Sequence, residues 1–382
     1  MKRYILIVAA VALATVSCSR NYDVNPAGEG TAIGFGTWAE NLTKAARQPG
    51  SSSFTESGYQ DNDFNVYGYK TLSGTPTQVF NGDVVSTTDG TSWTYSNTRY
   101  WDVNASDYAF FAVSPAGKVA SATATTGAIT TSTITFAGNN EDILVANKET
   151  VTTIPAPSAV ELDFNHVASL VDINVKKSPA LSNATVTISA FALENIEDDG
   201  ALTIAAANYT DGTGVLSVAS SDWGTDDGTL KAYLPANGIT PVYGDTNTSG
   251  AISNDNRKTI AKDPAFNATT PATPTGSTAL ITGLIVKPQA FDNTKTAALS
   301  QKVTFTYQIA SGGGDVNEYS ATLWLADFDD ADDNAQDDTK VGSWEPGKHY
   351  IFYITIDANA IEFSARISDW TAGTTGYNYL LN

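Results

Sequence analysis

Apolar and polar positions alternate with a period of two through most of the chain, in short runs rich in Val, Thr, Ile and aromatic residues. Gly, Asn and Asp clusters bound these runs, the pattern of strands separated by turns. In IEFSARISDW, Ile361, Phe363, Ala365 and Ile367 fall on one side and Glu362, Ser364, Arg366 and Ser368 on the other, as in a half-buried strand. VTFTYQIA directs Val303, Phe305, Tyr307 and Ile309 inward, and YIFYITI does the same with Tyr350, Phe352, Ile354 and Ile356. FNVYGYK, YAFFAVSP and VDINV add further strands. No run of helical period exceeds a turn or two, and the prolines of DPAFNATTPATPTG mark a loop. Many short strands in two groups predict an all-β chain built as two tandem antiparallel β-sandwich domains. Two prolines in TTIPAPSAVEL interrupt the pattern and place the boundary between domains at 48–158 and 159–382.

The first residues change the picture from a generic β protein to an exported one. Met1-Lys2-Arg3 is followed by the apolar stretch YILIVAAVALATV, shorter than the roughly 20 residues that span a bilayer as a helix. Residues 1–17 therefore read as a signal peptide. Cys18, the single cysteine, follows directly in LATVSCSR, so no intramolecular disulfide can form. This stretch resembles the lipobox of bacterial lipoproteins, with Thr15 where a leucine is usual. Two readings stand: acylation of Cys18, giving an outer-membrane lipoprotein precursor, or an ordinary signal peptide with an incidental cysteine.

The 382 residues carry 21 basic and 41 acidic side chains, a net charge of −20. That balance argues against nucleic acid or an anionic membrane surface as a partner, since both require a basic patch. Only two histidines are present, His166 in LDFNHVASL and His349 in PGKHYIFY. Neither has the neighbours of a metal site or a hydrolase triad, and His166 reads as a hydrogen-bonded residue at a strand edge. Nucleophile-elbow, zincin and phosphate-loop motifs are lacking, so no enzymatic activity, cofactor or metal is expected. The acidic run ADFDDADDNAQDDTK fails the EF-hand test. Counting from Asp330, Asp332 and Asn334 fit, but Ala335 replaces the glycine and Val341 the glutamate. The 7 Trp and 17 Tyr leave glycan binding through aromatic loops open, although sandwich cores also consume aromatics.

In chain order, DFNVYGYK, VFNG, WTYSNTRYWD, YAFFAVSPAG, DILVAN, LDFNHVASLVDINV, KAYLPANG, WEPGKHYIFYITID and IEFSARISDW resemble the blocks of the fimbrillin family, the subunits of type V pili. The resemblance runs from about Ile33 to Trp370 and implies transthyretin-like sandwich domains. It also implies a precursor that reaches the outer surface as a lipoprotein and is cut by an Arg-specific protease in a loop after its first strand. Other subunits of the extracellular fimbrium would then be its partners, each donating a strand to the groove vacated by the last. Donation of an extended segment satisfies unpaired backbone groups and exposed core at once.

Carried onto this chain, the resemblance makes residues 18–47 a lipidated propeptide. Its removable strand is TAIGFGTWAENLT, with Ile33 and Phe35 inward and Trp38 and Leu42 flanking them. The cut falls between Arg47 and Gln48. Of the six arginines, Arg99 and Arg366 sit in strand-like context, Arg3 and Arg20 flank the lipidation site, and Arg257 in SNDNRKT offers a second exposed loop. The donor would be residues 371–382, where a Gly/Thr spacer precedes the alternation of Tyr377, Tyr379 and Leu381. The competing reading is that this tail completes its own sheet. Two other functional readings stand beside the stalk subunit: an uncut surface lipoprotein that binds glycans or host proteins, and an anchor or tip subunit of the same pilus.

Overall fold

The computed structural model describes residues 30–37, 63–88, 92–136, 142–181, 184–197, 199–209, 214–224, 231–235, 241–244, 258–260, 278–310, 316–330, 340–357 and 361–369. Among them the regular elements are strands, joined by single 3-10 turns. The fold is all-β, as the alternation predicts. The proline-rich loop 263–276 and the acidic stretch 331–339 lie outside the described residues.

The N-terminal half is organised on a seven-stranded sheet in the order Phe164–His166, Leu144–Ala146, Asp107–Ser114, Asp63–Leu72, Thr75–Ser86, Thr94–Tyr95. Glu149–Val151 also pairs with Asp107–Ser114. The sheet thus takes one strand from beyond the proline-marked stretch at 150–160. Its central strand explains the uninterrupted apolar run YAFFAV. Tyr108, Phe110 and Ala112 face one core, Ala109, Phe111 and Val113 face another, and all six are essentially buried. A strand apolar on both sides has to be covered on both sides.

The first face also carries Phe64, Val66, Phe80 and Phe164. It is closed by Trp101, by Val160 and Leu162 of the Val160–Leu162 strand, and by Ile33 and Phe35. Ile129, Ile134, Leu202, Ile204, Tyr209 and Trp223 close the second face. These residues come from two distant stretches, because Asp199–Gly200 pairs with Ile134–Thr135 and Thr203–Ile204 pairs with Ala128–Thr131. The excursion spanning residues 199–224 is tied in turn to the C-terminal half. Ser220 donates to the Glu345 carboxylate from its backbone N and its Oγ, each at 3.1 Å. Beside it, Lys287 Nζ meets the Glu197 carboxylate.

The C-terminal half packs two sheets face to face. One runs Thr278–Val286, Ser169–Lys177, Lys348–Ile356, Ile361–Asp369, Asp329–Asp330; the other runs Pro241–Gly244, Lys231–Pro235, Thr185–Ile196, Lys302–Ala310, Val316–Trp324. Between them lie Val171, Ile173, Val186, Ile188, Val303, Phe305, Tyr307 and the expected row Tyr350, Phe352, Ile354, Ile356; Ile309 and Ile367 pack at the margin. Most pairings are antiparallel. Among the described residues three are parallel: Phe35–Thr37 with Val160–Leu162, Ser169–Lys177 with Lys348–Ile356, and Asp329–Asp330 with Ile361–Asp369. Both directions share the period of two, so alternation carries no information about direction.

Candidate functional site

Residues 31–37, TAIGFGT, alternate two large apolar side chains with glycines. Ile33 and Phe35 are 1% and 5% exposed. The Phe35 ring meets Phe80, Phe110, Tyr95 and Phe64 edge-on, with centroids 5.3, 5.6, 5.8 and 6.4 Å away. Such edge-to-face contacts add to the burial itself. The other face needs no side chain: a Cβ on Gly36 would stand 2.6 Å from the Glu161 carboxylate.

Both backbone edges of the segment are bonded. On one edge Ile33 N donates to the Arg99 carbonyl at 2.9 Å, Trp101 N donates to the Thr31 carbonyl at 3.0 Å, and Ala32 bridges Tyr100 in antiparallel fashion. On the other, Val160 N donates to the Gly34 carbonyl at 2.8 Å, and Phe35, Gly36 and Thr37 run parallel to Val160, Glu161 and Leu162. Tyr95 Oη donates to the Ile33 carbonyl at 2.7 Å. Burial pushes the Tyr95 phenol up, so the hydroxyl keeps that proton across the ordinary pH range. The segment is therefore an inserted strand, held on two sides and plugged into the core below.

The groove wall is pinned by Arg99. Its guanidinium bonds Asp83 Oδ1 at 3.0 Å and the Val79 carbonyl at 3.2 Å, reaches the Asn97 carbonyl, and lies 5.4 Å over the Phe80 ring. An arginine engaged this way is not an open protease target. Arg366 lies in the Ile361–Asp369 strand, opposite Ile351. Next to Trp101, Asp102 pairs with Lys70 Nζ at 3.0 Å, and the Lys70 side chain is 3% exposed. Burial alone would raise the Asp102 carboxyl, but the Asn104 amide and the Lys70 ammonium hold it below the ordinary aspartate value. A carboxylate with a depressed folded pKa stabilises the fold above its unfolded pKa and loses that contribution as pH falls through the folded value. Asp102→Asn is accordingly expected to destabilise the chain at neutral pH, toward the lower end of about 3–5 kcal/mol because Asp102 is partly exposed. The difference from wild type should shrink below about pH 4. Denaturant melts of both proteins across an acid series check this; a pH-independent difference would remove Asp102 as the titrating group.

Cys18, Trp38, Leu42, Arg47, Gln48, Arg257, Tyr377, Tyr379 and Leu381 lie outside the described residues. Of the proposed leaving strand, Ile33 and Phe35 are described, and both point inward. His166 ends the outermost strand of the seven-stranded sheet, with Nδ1 2.8 Å from Asp142 Oδ2; His349 Nε2 stands 3.0 Å from Asp172 Oδ2. Val341, at the twelfth position of the failed calcium loop, is buried. Among the described residues, no three His, Cys, Asp or Glu side chains gather as metal ligands would.

A family model for fimbrillin-like proteins matches residues 53–370. The chain belongs to the fimbrillin-like family. Proteins of this fimbrillin-like kind are structural fimbrial and adhesion subunits. The fold is similar to that of a fimbrial protein from Bacteroides vulgatus ATCC 8482, at 16% identity and a TM-score of 0.52, covering 89% of this chain and 99% of that one. It is also similar to the tip fimbrial protein Mfa3 from Porphyromonas gingivalis with C-terminal truncation, at 11% identity and a TM-score of 0.33, covering 81% and 94%. No curated protein matches the chain.

The alternation of TAIGFGT made Ile33 and Phe35 legible, whereas Arg99, Tyr95 and Val160 as the strand's partners were not. Lys70 left a signal: in FNVYGYK it falls on the same side as Phe64 and Val66, and a lysine on a buried face calls for a partner.

Proposed function

We propose that this chain is a stalk subunit of a type V pilus, exported as a lipoprotein precursor acylated at Cys18 and activated by Arg-specific cleavage between Arg47 and Gln48. Removal of the 18–47 segment takes the strand containing Ile33 and Phe35 with it, and a strand from a neighbouring subunit fills the groove. The body of the subunit begins at Gln48, and residues 371–382 extend from it as donor. The observation that carries this reading is the seating of residues 31–37. Among the described residues the strand is continuous with the core and is seated through two hydrogen-bonded edges, two buried side chains and the Tyr95 hydroxyl. It is also supported by the family match, which begins at residue 53, just past Arg47.

The test is treatment of the purified precursor with an Arg-specific protease. Wild type should yield a new N-terminus at Gln48 and a ladder of oligomers on mild gels. Arg47→Ala should remain full-length and unpolymerised with an unchanged melting temperature. A first cut after Arg257, or polymers formed by the uncut variant, would contradict the assignment.

A further inference from the structure

Sheet edges invite other strands, and natural proteins blunt them with short strands, prolines, bulges and charges. Several open edges among the described strands are treated so. Thr75–Ser86 carries Pro76, a kink at Gly82 with φ of +81°, register shifts against its partner strand, and the Arg99 guanidinium on the Val79 carbonyl. Phe164–His166 has three residues, Asp329–Asp330 is two aspartates, Pro241–Gly244 begins with proline, and Thr278–Val286 is shifted in register.

Val316–Trp324 differs. It is nine residues long, pairs with Lys302–Ala310 without any register shift, and ends its sheet with no further strand beyond it among the described residues. Residues 316–320 are all exposed, with Val316 at 57% and Tyr319 at 44%. VNEYSATLW is rich in strand-forming residues and holds one charge, Glu318, whose carboxylate accepts from Gln308 Nε2 at 2.8 Å.

We propose that this edge binds the same edge of a second copy of the chain, antiparallel about a two-fold axis through Ser320. In that register Ser320 faces Ser320, Tyr319 faces Ala321, Glu318 faces Thr322, Asn317 faces Leu323 and Val316 faces Trp324. The two Glu318 carboxylates are kept off each other, as cross-strand pairing requires. The exposed Tyr319 ring, stacked 5.3 Å from Tyr307, gains a small neighbour on the core side. Val316 gains an indole on the opposite side. A two-fold contact of this kind is closed, so it joins subunits side by side and is separate from any end-to-end strand exchange.

The experiment uses the full chain carrying Arg47→Ala, so that cleavage-driven assembly does not contribute. Sedimentation over a concentration series should show a reversible dimer. Ser320→Lys and Ser320→Glu, each placing like charges opposite one another across the axis, should each weaken the dimer by about tenfold or more. Mixing the two variants should restore it as a one-to-one heterodimer. Ser320 is exposed, so an unchanged melting temperature in both variants confirms that they fold. A monomer at all concentrations, or a dimer indifferent to both charges, would overturn the proposal. Loss of the dimer on removing residues 371–382, with no effect at position 320, would assign it to the tail instead.

Discussion

Phe35→Ala in the uncut chain is expected to lower the unfolding free energy by about 3–5 kcal/mol, the range for emptying a buried aromatic site. Phe35 meets four rings, and three of them, Phe64, Phe80 and Phe110, are fully buried on the same sheet face. The walls of the resulting void belong to paired strands and cannot easily collapse into it. Ile33→Val, which removes one methylene from the neighbouring position, should cost only about 0.5–1.5 kcal/mol. Hydrogen exchange should localise the damage. Amides of Asp63–Leu72 and Asp107–Ser114 should lose protection well before those of Lys348–Ile356, whose side chains pack in a separate core. A loss below about 1 kcal/mol, within the range of ordinary substitutions, would mean that Phe35 does not hold the first strand.

Removal of residues 371–382 is expected to leave cleavage after Arg47 intact and to stop polymer growth. Loss of the first strand exposes the Arg99 carbonyl and the Trp101 and Val160 amides together with an apolar strip. Unpaired edge groups beside an exposed apolar strip are a template for another strand, so the vacated groove favours an extended segment with apolar side chains at alternate positions. Tyr377, Tyr379 and Leu381 have the same spacing of two as Ile33 and Phe35. A synthetic peptide of residues 371–382 should therefore raise the melting temperature of the cut, tail-less chain, whereas a peptide with the alternation scrambled should not. An unchanged ladder from the tail-less chain would move the donor elsewhere.

How much of this was legible from residues alone depended on range. Lys302–Ala310 and Lys348–Ile356 bury the expected rows apart from the half-buried Ile309, because alternation is a local property that burial on one face enforces. Ile351 is buried as well, since that strand lies inside its sheet and is covered in part on its second side. YAFFAV reads as a strand, but its burial on both faces and what covers the second one are set by tertiary packing. Much of that cover comes from Leu202, Ile204, Tyr209 and Trp223, whose stretch crosses so that Asp199–Gly200 and Thr203–Ile204 pair with residues of 128–135; nothing in either short, polar-flanked stretch points to the other. Likewise, the groove's partners in Arg99–Trp101 and Val160–Leu162 are set by tertiary pairing. Gly68 shows the same limit: its missing Cβ reads as a weak point in a strand, yet a Cβ there would stand 2.8 Å from the Phe110 ring.

The excursion at 199–224 also sets the order in which the chain can fold. The second face of the N-terminal sheet is closed by Leu202, Ile204, Tyr209 and Trp223, with Ile285 at its margin. Those residues emerge long after the strands they cover. Were the chain to emerge from its N-terminus onward, the strands of its first sheet would all precede the cover of its second face, which ends at Trp223, past the middle of the chain. Contacts of such high sequence separation are slow to form and leave apolar surface exposed meanwhile. Early emergence would then leave the second face of that sheet open until its cover arrived.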